Sequence, residues 1–222
     1  MIGQDLYGRA GGYAKIYPIL EGEMTLLTHP VKSTKLERIA AYADVAQGEK
    51  EIVVSASNFY EIASDSSATL HEEFNGKTGV LEFKKAPDYV SWHFSVPTDG
   101  IYCMAPVYYP LKETGREIET ALQIDGEFPF REAASITLPT AYQSEKGILI
   151  DEFGDDYNSS QVELLKWYSE PLKNADGMYD DPYSFYFSAG EHTLTIYLQQ
   201  ECFALSEIRI MPFEKYPSYE EY

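Results

Sequence analysis

Residues 89–109 read YVSWHFSVPTDGIYCMAPVYY, and this stretch decides the fold class. Val90, Trp92, Phe94 and Val96 fall on one side of a period-2 ribbon, while Ser91, His93 and Ser95 fall on the other. That alternation predicts a β-strand with one buried face. Pro97-Thr98-Asp99-Gly100 supplies a turn, and residues 101–109 run back as a second strand. Residues 183–211, YSFYFSAGEHTLTIYLQQECFALSEIRIM, repeat the plan. They predict a strand at 183–187, a tight turn at Ser188-Ala189-Gly190-Glu191, a returning strand at 192–198 and a closing strand at 206–211. Together the two segments predict an all-β chain, an antiparallel β-sandwich. Trp92 has Val90 and Phe94 as its i±2 neighbours, which assigns it to the core.

Outward from this centre, residues 52–56 predict a first strand, Ser64-Asp65-Ser66-Ser67 a loop, and residues 81–83 a short strand ahead of Pro87. Residues 119–124 predict a strand, and Asp125-Gly126 is a hairpin signal into residues 128–130. Residues 131–179 show mixed periodicity. A structureless insertion of that length is unusual inside a compact domain, so this section is expected to pack over one face or rim, with a helical turn at 160–167. Near the N-terminus Gly8, Gly11, Gly12, Pro18 and Gly22 interrupt any long element. Ser33-Thr34 then precedes Leu36, Ile39, Ala40 and Ala43 at helical spacing, with Gly48 as the stop. The expected organisation is an extension with a short helix at 1–49, a sandwich module at 50–213 and a linker at 214–222.

The charge balance excludes partners. With 36 Asp and Glu against 17 Lys and Arg, the net charge of -19 repels phosphate backbones and anionic membranes, so nucleic acid is not expected. No stretch is long and apolar enough to span a bilayer, so direct membrane insertion is not expected either. Residues 1–22 lack a basic start followed by an unbroken apolar run, so either the chain is cytosolic or a leader lies outside it. Cys103 and Cys202 both fall in predicted strands, where burial is the default, and their pairing is left open by sequence.

Catalytic signatures are missing. His29, His71, His93 and His192 show no metal-ligand spacing, and His71-Glu72-Glu73 lacks the second His of a zincin helix. There is no Gly-x-Ser-x-Gly elbow, phosphate-binding Gly loop or Cys-x-x-Cys pair, so no catalytic residue, metal or cofactor is assigned. Polar-aromatic clusters remain. Trp167 and Tyr168 stand beside Lys166 and Glu170, Tyr157 beside Asp155 and Asp156, and Tyr179 beside Asp180 and Asp181. An exposed ring stacks on the apolar face of a pyranose while carboxylates hold its hydroxyls. The candidate ligand residues are therefore Trp167, Tyr168, Tyr157, Asp155, Asp156, Tyr179 and Asp181, with simple packing or an acidic surface as the alternative for each.

Five stretches in order, from Val90 to Pro97, Asp99 to Tyr102, Leu122 to Gly126, Phe185 to Leu194 and Glu207 to Ile210, resemble the galactose-binding-like jelly roll of many carbohydrate-binding modules. Residues 160–167, SQVELLKW, and 217–222, PSYEEY, further resemble the N-terminal module of long extracellular solute-binding proteins of bacterial ABC transporters. The resemblance implies a non-catalytic carbohydrate-binding-like module, extracellular and cell-surface associated, beside the solute-binding domain of a sugar transporter. Its implied partner is an oligo- or polysaccharide. A protein-interaction scaffold with no glycan ligand, or an accessory domain of a glycoside hydrolase, stays open beside it. Ser55, Ser57 and Ser206 match positions where calcium-containing modules of this fold carry carboxylates, which implies that the structural calcium site is lost.

Overall fold

A computed structural model describes residues 45–111, 115–150, 152–175 and 181–213, which form an antiparallel β-sandwich. The helix expected within residues 33–43 and the linker at 214–222 lie outside the described residues. Helical structure among the described residues is confined to 3-10 turns at Ala56–Asn58 and Arg131–Ala134.

One sheet holds seven strands: β1 (Ile52–Ser55), β3 (Thr69–Phe74), β4 (Lys77–Phe83), β6 (Gly100–Pro110), β13 (Tyr168–Ser169), β14 (Phe185–Phe187) and β16 (Phe203–Pro212). Its order is β13-β6-β16-β4-β3, with β14 also on β6 and β1 also on β16. The other holds five: β2 (Phe59–Ile62), β5 (Tyr89–Val96), β7 (Ile118–Ile124), β8 (Ile136–Leu138) and β15 (Gly190–Gln200), in the order β2-β5-β15-β7-β8.

Both strands of the 89–109 segment form, but they belong to opposite sheets. β5 pairs with β15 from Val96↔Gly190 to Tyr89↔Tyr197, whereas β6 pairs with β16. Residues 97–100 are therefore a corner across the sandwich rather than a hairpin. The same holds between β14 and β15. The difference lies in burial: β5 alternates buried and exposed positions beyond Trp92, while every residue of β6 except Tyr109 is buried. A strand buried on both faces belongs at the centre of a covered sheet. From β4 to β7 and again from β14 to β16 consecutive strands thus alternate between the sheets, which is jelly-roll connectivity.

Trp92 is fully buried between the sheets, and its indole N–H donates to the Ala56 carbonyl at 3.1 Å. Around it pack Phe83, Phe94, Tyr102, Phe185, Phe187 and Phe203, with Phe83 stacked on Phe203 at 4.7 Å. A void of about 20 Å³ is lined by Pro106, Leu122, Ile196, Phe203 and Leu205 among others. It has the room of about one water and apolar walls, so a sugar does not fit there.

Two local expectations change. Residues 160–167 are extended, not helical: Gln161–Glu163 is a strand, β12, paired with β9 (Tyr142–Ser144). Ladder hydrogen bonds override a weak helical preference there. Asp125-Gly126 does form its turn, with φ of 51° and 78° and reciprocal hydrogen bonds between Ile124 and Glu127. Residues 128–130 then leave the sheet, and it is β8 that pairs with β7.

Residues 141–164 make a β-arm. β9 and β12 form its root, and β10 (Ile148–Ile150) pairs with β11 (Asp156–Asn158) beyond them. Between the two ladders the register slips by one residue at Lys146, whose N–H is taken up by the Ser159 hydroxyl at 2.9 Å. Tyr168, in the sandwich, clamps the root: its hydroxyl accepts from the Ala141 N–H at 3.0 Å and donates to the Leu164 carbonyl at 2.7 Å.

Candidate functional site

The β3–β4 hairpin builds the strongest surface constellation. Asn75 and Gly76 turn with φ of 46° and 79°, the left-handed pair that a two-residue hairpin requires. At this turn the indole N–H of Trp167 donates to the Asn75 carbonyl at 3.0 Å. The indole meets Tyr109 at 5.5 Å and Phe74 at 6.2 Å, both edge to face, and the Lys77 ammonium lies 5.4 Å from its ring. Phe74 and Tyr109 meet each other at 5.5 Å. Trp167 is thus oriented by one hydrogen bond, two ring edges and a cation, while staying half-buried.

Polar groups continue the patch. His71 lies 5.8 Å from Phe74, and its Nε2 is 2.6 Å from a Glu82 oxygen that Lys84 approaches at 3.5 Å. Rings that can take the C–H face of a sugar therefore adjoin an imidazole, a carboxylate and two ammonium groups able to hold hydroxyls. Of this cluster the sequence singles out Trp167 as a candidate, but not His71, Phe74, Lys77, Glu82 or Tyr109. The Asn75-Gly76 dipeptide was the signal that locates the hairpin carrying most of them.

Among the described residues, the other candidates do not join Trp167 in one site. Tyr168 is buried, stacked on Tyr108 at 5.6 Å, with its hydroxyl committed to the arm root. This corrects its assignment as a surface ligand: the polar tip of a core tyrosine has taken a structural partner. Tyr157, Asp155 and Asp156 are exposed on the arm, Asp181 is partly buried beside the Lys173–Pro182 bridge, and Tyr179 lies outside the described residues.

Among the described residues, the histidines outside this patch have structural partners. His93 stacks on Tyr60 at 3.8 Å, while His192 lies between Asp125 Oδ2 at 2.7 Å and the Ser188 carbonyl at 2.8 Å. Burial disfavours the His192 cation, but the hydrogen bonds to Asp125 and Ser188 outweigh it and hold the imidazole above its ordinary range. Tyr89 is pushed up to about 12 by burial first and then by its hydrogen bond to Glu61.

Of the three serines that the resemblance matches to calcium positions, two come together. Ser55 and Ser57 share a hydrogen bond of 2.9 Å, and Ser206 is buried at the β16 bulge next to Glu207, the register partner of Ser55. A cation of this kind needs carboxylate oxygens, and a pair of neutral hydroxyls bonded to each other does not fit it. Among the described residues no group of three or more His, Cys, Asp or Glu side chains is placed to hold a metal.

No family model and no curated protein matches the chain. Solved structures similar to it include the GH26-CBM35 β-(1,4)-mannanase of Podospora anserina, at 12% identity and a TM-score of 0.45 over 75% of this chain and 28% of that one. A family 35 carbohydrate binding module from Clostridium thermocellum is also similar, at 12% identity and a TM-score of 0.45, over 73% of this chain and 98% of that one. A third is the CBM36-1 domain of a multidomain xylanase from the hindgut metagenome of Trinervitermes trinervoides, at 11% identity and a TM-score of 0.40, over 76% and 100%. The chain spans 28% of the length of the mannanase and nearly all of each isolated module.

Proposed function

We propose that this chain is a non-catalytic carbohydrate-binding module whose ligand stacks on the Trp167–Tyr109–Phe74 surface. The observation that carries the reading is the Trp167 indole, half-exposed yet held in place through Asn75, and continuous with the His71–Glu82–Lys84 group. A ring already ordered loses little entropy on binding. Lys77 over the indole contributes roughly 0.5–1 kcal/mol at a partly exposed site, little enough for a sugar to displace it. The sequence resemblance supports an extracellular setting beside the solute-binding domain of a bacterial sugar transporter, with an oligo- or polysaccharide as ligand.

The test is a glycan array with the full chain, run with calcium and with chelator. Saturable binding to one glycan class, unchanged by chelator and weakened about tenfold by Trp167→Ala, a loss of ~1.4 kcal/mol, is the expected result. Binding that survives Trp167→Ala at full strength moves the site elsewhere. An array with no hits in either buffer removes the carbohydrate reading and leaves the scaffold reading in its place.

A further inference from the structure

The outward face of the five-stranded sheet gathers aromatic and polar groups that the Trp167 patch does not use. The bulge between Phe59 and Glu61 keeps Phe59 against the core, opposite Trp92, and turns both Tyr60 and Glu61 outward. Tyr60 is 50% exposed and stacks on His93, which is exposed as well. Beside them the Tyr89 hydroxyl donates to Glu61 Oε1 at 3.1 Å, Tyr89 meets Tyr197 at 5.5 Å, and the Tyr197 hydroxyl donates to Gln123 Oε1 at 3.0 Å. Ser91 and Thr195, buried and bonded to each other, lie beneath. Burial first, and then Glu61 and Tyr60 close by, push the Tyr89 and Tyr197 phenols upward, so three phenols and one carboxylate share a neighbourhood.

The hydrogen bonds fix these groups and leave defined positions for a ligand. One oxygen of Glu61 accepts from Tyr89, the other is open, and among the described residues no Lys or Arg stands beside it. Gln123, its Oε1 taken by Tyr197, keeps its amide N–H groups to donate. The five strands of this sheet contain Glu61, Glu119 and Glu191 and no Lys or Arg at all. Charge therefore favours a cation, and rings beside a carboxylate suit an ammonium. A lysine side chain would offer no hydroxyl to Gln123, whereas a sugar ring offers several. We infer that this face is a second binding site, for an amino sugar whose free ammonium sits on Glu61, whose C–H face lies on the exposed ring of Tyr60 and whose hydroxyl accepts from Gln123. Tyr89 and Tyr197 hold the two polar groups in place beforehand, so little order is lost on binding. The site lies on the opposite sheet from the β3–β4 hairpin and stands or falls without the Trp167 patch.

The experiment titrates the full chain calorimetrically with a glucosamine trisaccharide and, separately, with its N-acetylated counterpart. The free amine is expected to bind about tenfold more tightly. Glu61→Gln, which keeps the shape and an acceptor for Tyr89, is expected to weaken the free amine about tenfold and to remove the preference for it. Tyr60→Ala is expected to weaken both ligands, with the melting temperature retained because the ring is half exposed on an edge strand. Glu145→Gln, the same change of charge at an exposed position of the arm, and Trp167→Ala are expected to leave the affinity for the free amine unchanged. No binding of the free amine, equal binding of the two trisaccharides, or an affinity unmoved by Glu61→Gln each overturns the inference. An equal loss in Glu145→Gln would show attraction to net charge only, and a loss in Trp167→Ala would assign the amine to the other patch; either result overturns it too.

Discussion

Gly48 shows how one residue can carry a different burden from the one its sequence context implies. It reads as a helix stop, yet its N–H donates to the Ile101 carbonyl at 3.0 Å, and a Cβ built on it would lie 2.1 Å from the buried ring of Tyr102. Gly48→Ala is therefore expected to destabilise the sandwich by roughly 1–3 kcal/mol, the usual range for forced overpacking, measured as a lower urea midpoint with unchanged slope. His192 works through charge. Its protonated ring gains Asp125 and Ser188 only in the folded state, so its folded pKa lies above the unfolded value near 6.5. The stabilisation is whole below that unfolded value and is lost as pH rises through the folded one. Stability measured upward from pH 6 is expected to contain this declining component, and His192→Gln is expected to flatten it.

At the scale of elements, the β-arm and the β3–β4 hairpin are opposite cases. The hairpin is specified locally, by Asn-Gly between two alternating runs. The arm depends on a clamp outside it. Tyr168→Phe would leave the Ala141 N–H and the Leu164 carbonyl without the hydroxyl they share, at a cost of about 1–3 kcal/mol if both stay dry. Hydrogen exchange at Ala141 and its ladder neighbours is expected to speed up in that variant, while amides of β5 and β15 keep their protection. Uniform acceleration across both sheets would show instead that Tyr168 matters as core and not as clamp.

For the molecule as a whole, the core rests on packing and not on covalent staples. No disulfide joins Cys103 and Cys202, and both thiols are buried, at 5% and 8% exposure. A thiol reagent such as Ellman's is expected to find no reactive cysteine in the native protein and both in denaturant. A native protein that titrates one or both thiols would contradict the burial of the strands they occupy. Away from the core between the sheets, Ser91 and Thr195 are buried and share a hydrogen bond of 2.8 Å, while His93 is exposed and stacks on Tyr60.

Local pattern determined the fold class. The alternation of Val90, Trp92, Phe94 and Val96, the turn at residues 97–100 and the left-handed Asp125-Gly126 pair are short-range signals, and each forms a strand or turn where the sequence places it. Which sheet a strand joins was not legible, because the choice between hairpin and corner after Val96 depends on partners almost a hundred residues away, β15 and β16. The candidate site divides along the same line. Trp167 stood out by residue type, but Tyr109, Phe74, His71 and Glu82 come to it from three other strands. Tyr168, its sequence neighbour, points into the core because successive residues of an extended chain face opposite ways. Sequence could name the rings; only the tertiary structure decided which one water touches.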